Sequence, residues 1–460
     1  MPLPAGHTLE LNLFWIGVVL LCAAWIGLGR RLLATPGARA GDVLLVAAVW
    51  ALPLALGPAL FSQDVYSYLA QGAILQHGLN PYHDAPTSLA RWHETGLLSA
   101  VSANWRATTA PYGPGFLAIT AVLSSLAGSH IAVGVELVRA LEFVGLGLLA
   151  VFVPRLARRL GADPVRAAWL AVASPLSLLY FVGGAHNDAL MAGLMVAGVT
   201  LALEERWLAG LALCALAATV KLPALAAVGV IGVCWLRAEP QRARTIVSSA
   251  VLVVAGVVLA VGMIAGVGLS WVSGDLFSTP ASVRLAITPA TAVAVTIHEL
   301  WHGVHHGVGQ AAARLERASI DVAIGLVVAF AVWLGLRVRQ ERLVRVLGVI
   351  LTVAAIGGPA AWPWYLIWGA ALLAADPVAQ RSTWLELAVV VPVFVVMAGG
   401  QVAIALPHAY QVLIVYLAAG AVAIVASVRR RAGTLLAPPR GGLAQAPGAR
   451  QPAAVGSEAT

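Results

Sequence analysis

The sequence predicts an all-helical membrane protein, built as one bundle of many transmembrane helices. Of its 460 residues, 60% are hydrophobic and 10% are charged, and the mean hydropathy is +0.89. Soluble domains carry roughly a quarter charged residues. Apolar runs of about 20 residues, enough to cross a bilayer, recur along the whole length. These observations exclude a separate soluble domain. The net charge of +8 sits mainly in short Arg-rich loops, so we expect no nucleic-acid partner.

Clusters of arginine set the predicted orientation of the helices, because cytoplasmic loops are enriched in basic residues. The clusters expected inside are Arg30–Arg31, Arg155–Arg166, Arg237–Arg244, Arg337–Arg345 and Arg429–Arg431. With these inside, we predict about thirteen crossings, an outer N-terminus and an inner C-terminus. The crossings are 13–29, 43–61, 131–154, 167–182, 188–203, 208–220, 222–236, 245–271, 319–336, 346–361, 364–375, 385–400 and 409–427.

Two long outer loops separate these crossings, at about 62–130 and 272–318. Within the first, residues 115–128 are apolar but short for a span. Counting them as a crossing would also place the Arg155 cluster outside, so we predict a juxtamembrane helix at the outer interface. Residues 1–427 form the predicted bundle. The Pro-, Gly- and Ala-rich segment 428–460 is predicted to be a disordered cytoplasmic tail.

The first outer loop contains the best candidate for a catalytic base. Asp64 lies where a crossing leaves the membrane, close to polar and aromatic side chains suited to a polar substrate, among them Tyr66, Tyr68, Asn80 and Tyr82. A carboxylate within hydrogen-bond reach can take the proton of an attacking hydroxyl. The alternative is an ordinary helix-capping or loop acid.

Further polar residues gather on the same predicted face. They are His186, Asn187, Asp188, Lys221, Ser278, Arg284, Trp364 and Tyr365. Burying ionisable groups at membrane depth costs free energy, so such residues are functional candidates. The alternative for Lys221, the only lysine, is that its side chain snorkels to the membrane interface. Together the groups suit glycosyl transfer from a lipid-linked sugar. Lys221 and Arg284 would stabilise a departing polyprenyl phosphate, and His186 and Asp188 would orient the sugar or assist proton transfer.

Seven short motifs resemble the polyprenol-phosphomannose-dependent α-1,6-mannosyltransferases of the MptA/MptB type, which are multi-pass membrane enzymes of the GT-C superfamily found in actinobacteria. The motifs are Asp64–Tyr68, Gly78–Tyr82, Pro111–Pro114 with Tyr112, His186–Leu190, Val220–Leu225, Phe277–Arg284 and Trp362–Tyr365. They occur in the family's order and span about residues 60–370. The resemblance therefore implies a GT-C bundle.

The resemblance also implies a substrate pair and a mechanism. The donor would be polyprenyl-phosphate-mannose and the acceptor an α-1,6-mannan glycolipid such as the lipomannan core, both met at the outer face of the plasma membrane. Asp64 would be the base of a single inverting displacement, and Tyr66, Tyr68, Asn80, Tyr82 and Tyr112 would contact substrate. We expect no cofactor. A monophosphate donor near two cations does not require a metal ion, so metal dependence stays open.

Two hypotheses from other classes remain. The segment His298–His302, HELWH, matches the H-E-x-x-H zinc protease signature, in which two histidines one helical turn apart bind zinc and the glutamate acts as base. The segment lies in the predicted second outer loop, and no obvious third ligand follows it. A small-molecule transporter would also be rich in apolar helices, but the segment pattern shows no inverted repeat.

Overall fold

The computed structural model describes residues 8–273, 288–305, 310–358, 360–396 and 409–419, and these are mainly helical with no β-strand among them. The predicted all-helical fold is confirmed. The helices are α1 Thr8–Ala34, α2 Ala40–Ala55, α3 Asp64–Gln76, α4 Thr95–Ala100, α5 Pro114–Ala127, α6 Ile131–Arg159, α7 Pro164–Ala171, α8 Pro175–Ser177, α9 Asp188–Leu203, α10 Trp207–Val220, α11 Leu225–Ala238, α12 Ala243–Ile264, α13 Ser270–Ser273, α14 Pro289–His305, α15 Gln310–Gly335, α16 Leu343–Gly357, α17 Leu366–Ala374, α18 Thr383–Val390 and α19 Ala409–Ala419.

Several of these helices are apolar enough to identify a membrane protein. Among the described residues, four are long enough to cross a bilayer: Leu9–Ala34, Ile131–Arg159, Pro240–Ile264 and Ala313–Gly335. Most of the other predicted crossings are apolar helices of 10–17 residues. At 1.5 Å per residue they measure about 15–25 Å, less than the roughly 30 Å hydrocarbon core. The count of about thirteen crossings is therefore not confirmed.

The predicted crossings at 167–182 and 245–271 differ from the helices in the structure. The crossing at 167–182 is broken, because α7 ends at Ala171 and a new helix starts at Pro175, bent by 40°. Proline cannot donate the next helical hydrogen bond. The crossing at 245–271 ends at Ile264, before Gly266 and Gly268 with φ of 71° and 57°. The segment 115–128 is a helix as predicted, namely α5.

The core lies around α9, which is buried on nearly every side. Glycines let its neighbours approach to backbone contact, as is common between membrane helices. A Cβ on Gly145 of α6 would lie 2.3 Å from the Ala189 carbonyl carbon, and one on Gly210 of α10 would lie 2.7 Å from the Gly198 oxygen. The start and middle of α9 are therefore fixed against α6 and α10.

Arg139 of α6 joins three segments at one end of this core. It is 1% exposed, and its guanidinium donates to the carbonyls of Ala55 at 2.6 Å, Gly57 at 2.9 Å and Val182 at 3.0 Å. These carbonyls end α2 and the π-helical turn Leu178–Gly183. The planar five-donor guanidinium suits such a task. Arg139 thereby holds the segment before Asp64 close to the turn before α9.

The arginine cluster at the C-terminal end of α6 lies beside the C-terminal end of α9. Arg155 makes a bidentate pair with Glu204, with Nη2 to Oε2 at 2.6 Å and Nε to Oε1 at 2.7 Å. Glu204 directly follows α9, whereas Asp188 begins it. Sixteen helical residues separate these ends by about 24 Å. The arginines and Asp188 therefore lie at opposite ends of the core.

Among the described residues, those up to Leu413 form one compact unit, and 414–419, the last residues of α19, belong to a second. The predicted boundary at 427–428 lies outside the described residues.

We predict that Arg139→Met lowers the free energy of unfolding by about 3–5 kcal/mol, because the buried carbonyl of Val182 and the part-buried carbonyls of Ala55 and Gly57 lose a charged donor. Thermal unfolding in detergent measures the effect. Arg155→Met is the matched control, since its pair with Glu204 is more exposed and should contribute little to stability. Equal destabilisation by the two variants would contradict the clamping role of Arg139.

Candidate active site

Asp64 begins α3 immediately after a strained turn. Phe61 has φ of 68°, a left-handed value unusual for a bulky residue, and the Leu60 N–H donates to the Gly183 carbonyl at 2.9 Å. The Asp64 N–H donates to Ser62 Oγ at 2.9 Å. The turn therefore sets the carboxylate beside the segment that leads into α9.

The surroundings raise the pKa of Asp64 to about 6. Desolvation is the largest cause, and the negative charge of Asp188 adds to it, while Lys221 and hydrogen bonds from Ser62 and Trp105 favour the ionised form. A carboxyl group with a pKa near neutrality can accept a proton and release it again within a reaction cycle.

A buried ion pair lies next to Asp64. Lys221 Nζ donates to Asp188 Oδ1 at 2.8 Å and Oδ2 at 2.9 Å. The Trp368 indole N–H donates to the same Oδ1 at 2.5 Å. Lys221 follows α10 in an extended conformation, with φ of −153° and ψ of 130°. The only lysine of the chain thus points its ammonium group at the start of α9.

Aromatic rings form the walls around this pair. The Lys221 ammonium lies 4.4 Å from the centre of the Tyr365 ring, a distance typical of a cation–π contact. The rings of Trp364 and His186 pack edge to face with their centres 3.8 Å apart, and the ring centres of Tyr68 and Tyr112 are 5.0 Å apart. Such rings offer flat apolar faces to a sugar and exclude water from the ion pair.

Two glycines of the Pro-Tyr-Gly-Pro-Gly segment bring Tyr112 to this place. A Cβ on Gly113 would lie 2.2 Å from the Thr219 carbonyl oxygen, and one on Gly115 would lie 2.5 Å from Thr219 Oγ1. The Gly113 N–H donates to the Val220 carbonyl at 3.1 Å. The Pro-Tyr-Gly-Pro-Gly segment is therefore attached directly to the residues before Lys221.

His186 and Asn187, just before Asp188, carry buried polar atoms without partners in the described structure: His186 Nε2, Asn187 Oδ1 and Asn187 Nδ2. His186 Nδ1 lies 3.2 Å from the Gly184 carbonyl, which can only accept, so Nδ1 carries the proton and Nε2 offers a lone pair. Burial and the nearby Lys221 charge hold the pKa of His186 well below its usual value. The ring is therefore a neutral hydrogen-bond acceptor and a weak base.

The structure brings together most, but not all, of the residues that the sequence predicts for the site. Those in one cluster are Asp64, Tyr68, Tyr112, His186, Asn187, Asp188, Lys221, Trp364 and Tyr365. Asn80 and Tyr82 instead hold the loop, since the Asn80 amide donates to Ser270 Oγ at 2.9 Å and the Tyr82 hydroxyl to the Tyr112 carbonyl at 2.7 Å. Tyr66 is partly buried against apolar neighbours. Ser278 and Arg284 lie outside the described residues.

Three residues at or near the site were not predicted. They are Trp368, which bonds Asp188, Glu142, which is buried beside it, and Arg139. Glu142 and Arg139 interrupt the apolar run 131–154, and charged residues inside a crossing are the signal that could have identified them. Trp368 gives no such signal, because tryptophan is ordinary in an apolar helix.

The HELWH segment lies on α14, as its motif would require. His298 Nδ1 contacts Glu316 Oε1 at 2.5 Å, and Glu299 Oε1 accepts the Ala409 N–H at 3.4 Å. The His302 side chain is outside the described part. Within that part, no group of three or more His, Cys, Asp or Glu side chains could hold a metal ion.

Comparison with known proteins gives the family. A profile described as "Alpha-(1->6)-mannopyranosyltransferase, N-terminal domain" matches residues 2–237, and one described as "MptB C-terminal domain" matches residues 289–429. Alpha-(1->6)-mannopyranosyltransferase A of Mycobacterium tuberculosis is 35% identical over 82% of this chain and 73% of its own length. A probable alpha-(1->6)-mannopyranosyltransferase of Mycolicibacterium smegmatis is 32% identical over 86% of this chain and 76% of its own length.

A third relative matches a shorter stretch. Alpha-(1->6)-mannopyranosyltransferase A of Corynebacterium glutamicum is 38% identical over 50% of this chain and 48% of its own. These matches favour the transferase hypothesis over the protease and transporter hypotheses. The chain belongs to the alpha-(1->6)-mannopyranosyltransferase family and is a glycosyltransferase.

Proposed function

We propose that the protein transfers mannose from polyprenyl-phosphate-mannose to an α-1,6-mannan acceptor at the outer face of the plasma membrane, with inversion and with Asp64 as the general base. The observation that carries the proposal is the Asp64 carboxyl, with its pKa of about 6, in the electrostatic field of the Lys221–Asp188 pair. This arrangement provides a base and a cation in one partly buried site.

The proposed reaction is a single displacement. The acceptor hydroxyl oxygen bonds to the anomeric carbon as the bond from that carbon to the phosphate oxygen breaks, and the hydroxyl proton passes to Asp64. The released polyprenyl phosphate gains negative charge, which a preorganised cation stabilises. Two of the three Lys221 N–H groups face Asp188, so one remains for the phosphate. Arg284 is the second proposed phosphate ligand, and Ser278 a proposed substrate contact.

The remaining predicted residues contact or support the sugars in this proposal. The rings of Tyr68, Tyr112, Trp364 and Tyr365 provide faces for stacking, and His186 and Asn187 offer hydrogen bonds to hydroxyl groups. Asp188 acts by holding Lys221. Tyr66, Asn80 and Tyr82 shape the loop, and the Tyr82 hydroxyl acts through the backbone of Tyr112.

Positions along the helices support an outer site. The start of α9 and the end of α10 carry Asp188 and Lys221, whereas Arg155 and Glu204 pair at the far end of α9. Arg237 of α11 likewise donates to the carbonyls of Leu336 and Val338 at the end of α15. Since arginine-rich loops favour the cytoplasm, the site end would face outward, where lipid-linked donors replace nucleotide sugars.

We expect Asp64→Asn to lower kcat by about 10²–10⁴-fold, the usual contribution of a positioned base. Transfer from labelled polyprenyl-phosphate-mannose to an α-1,6-mannoside in membranes measures the loss. Asp42→Asn, an exposed acid on α2, is the control and should keep full activity. Glu299→Gln should also keep activity. Full activity in Asp64→Asn would reject Asp64 as the base, and chelator-sensitive proteolysis in place of transfer would reject the whole proposal.

The pH profile tests the same group independently. A base works only when ionised, so activity should be full above the pKa of Asp64, half-maximal near pH 6 and about tenfold lower for each further unit below. Ser62→Ala should move the midpoint to higher pH, because a hydrogen bond from Ser62 lowers this pKa. A midpoint that does not respond to this change would contradict the assignment.

The Tyr365 ring should matter more than its hydroxyl. Tyr365→Phe keeps the ring face above the Lys221 ammonium, so we expect near-normal kcat/KM. Tyr365→Leu removes the cation–π contact and should lower kcat/KM by about 2- to 30-fold, equivalent to about 0.5–2 kcal/mol. The same transfer assay compares the two variants. Equal loss in both would mean that the hydroxyl, not the ring, is what the site requires.

A further inference from the structure

Glu142 is a buried charged residue that the proposed reaction does not use. It lies in the middle of α6, one of the helices long enough to cross the membrane, and it is 1% exposed. Its Oε2 accepts the Leu190 N–H at 3.1 Å, while Oε1 has no partner in the described structure. A charged side chain at membrane depth is costly and calls for a function.

The Leu190 N–H belongs to the first turn of α9, where helical N–H groups have no partner within the helix. The side chain of the N-cap residue usually accepts such a hydrogen bond, and asparagine is among the best residues for this. Asn187 is the N-cap residue of α9, but its backbone is already helical, with φ of −63° and ψ of −3°, so its side chain makes no capping bond. Glu142 takes that place from a neighbouring helix, three residues before Gly145, whose missing Cβ allows the close approach.

Glu142 caps the helix, and the side-chain amide of Asn187 makes no hydrogen bond in the described structure. Its oxygen and nitrogen are both buried without partners, as is His186 Nε2. A buried polar group left unpaired costs about 1–3 kcal/mol, so a ligand that both donates and accepts hydrogen bonds should occupy these atoms. The hydroxyl groups of a sugar do both, and the atoms lie next to the Asp188–Lys221 pair.

We propose that Glu142 is a positioning residue, which caps α9 from α6 and so keeps the Asn187 side chain free to hydrogen-bond the hydroxyl groups of the transferred sugar. The inference rests on the proposed function. Without Glu142, the first turn of α9 loses its cap, the Asn187 amide is no longer held in place and its contact with the sugar is lost.

A double-mutant cycle tests this role, using Glu142→Leu, Asn187→Ala and the combined variant in the mannosyl-transfer assay. Each single change should lower kcat/KM about tenfold, mainly through KM, since both remove the same sugar contact. The double variant should be no more than about twofold worse than either. Glu142→Gln keeps an oxygen for the Leu190 N–H and should retain at least about half of the activity. Losses that multiply to about 100-fold in the double variant, or a loss above tenfold in Glu142→Gln, would overturn the proposal.

Hydrogen exchange of the Leu190 amide tests the cap without any need for activity. Exchange should be faster in Glu142→Leu and in the double variant than in the wild type, and unchanged in Glu142→Gln, because only Glu142→Gln keeps an acceptor for the Leu190 N–H. Equal exchange in the double variant and the wild type would overturn the role of Glu142. If the variants show this exchange pattern but the wild type transfers no mannose, the proposed function is rejected, while the capping role of Glu142 stands.

Discussion

The buried ion pair between Lys221 and Asp188 is the interaction on which the rest of the site depends. Taking two charges out of water is costly, and their attraction compensates only when the geometry is good and the remaining hydrogen bonds are satisfied. Here the carboxylate receives both the ammonium group and the Trp368 indole N–H, and the ammonium lies against the Tyr365 ring. A weakly packed surrounding would not hold such a pair. Its presence therefore explains why α9, α10 and α17 meet so closely at this end of the bundle.

Helix α6 is the element that aligns the site. Arg139, Glu142 and Gly145 are spaced three residues apart and so share one face of that helix. Arg139 holds the ends of α2 and of the turn before α9, Glu142 holds the first turn of α9, and Gly145 lets the two helices touch. One helical face thus fixes the two segments that carry Asp64 and Asp188. The precision that the proposed displacement needs would come from this rigid helix, which holds the proposed substrate-facing groups at helix ends and turns.

The sequence was sufficient for the helical class and for most members of the candidate site, but not for their contacts. Apolar periodicity placed α9 at 188–203 without error, because hydrophobic length is a direct consequence of burial. The predicted crossing at 167–182 missed its break, since Pro175 had to be weighed against a continuous apolar run. Asp64 and Lys221 stood out as lone charges. The contacts between them could not be predicted from the sequence, because residues 64, 188, 221 and 368 come together only through tertiary packing. Glu142 and Arg139 are charged residues inside the predicted crossing 131–154, and charge within an apolar crossing is the sequence signal that indicates a role for them.

The most direct measurement is an experimental structure of the protein with a stable C-glycosyl phosphonate analogue of polyprenyl-phosphate-mannose. The account predicts that the phosphonate lies within about 3 Å of Lys221 Nζ and that Asp64 lies on the opposite side of the anomeric carbon, within reach of an acceptor hydroxyl. It also predicts that the bound sugar contacts Asn187. A phosphonate bound away from Lys221, or an Asp64 carboxylate on the same side of the sugar as the phosphonate, would contradict the central claim that these residues form one displacement site.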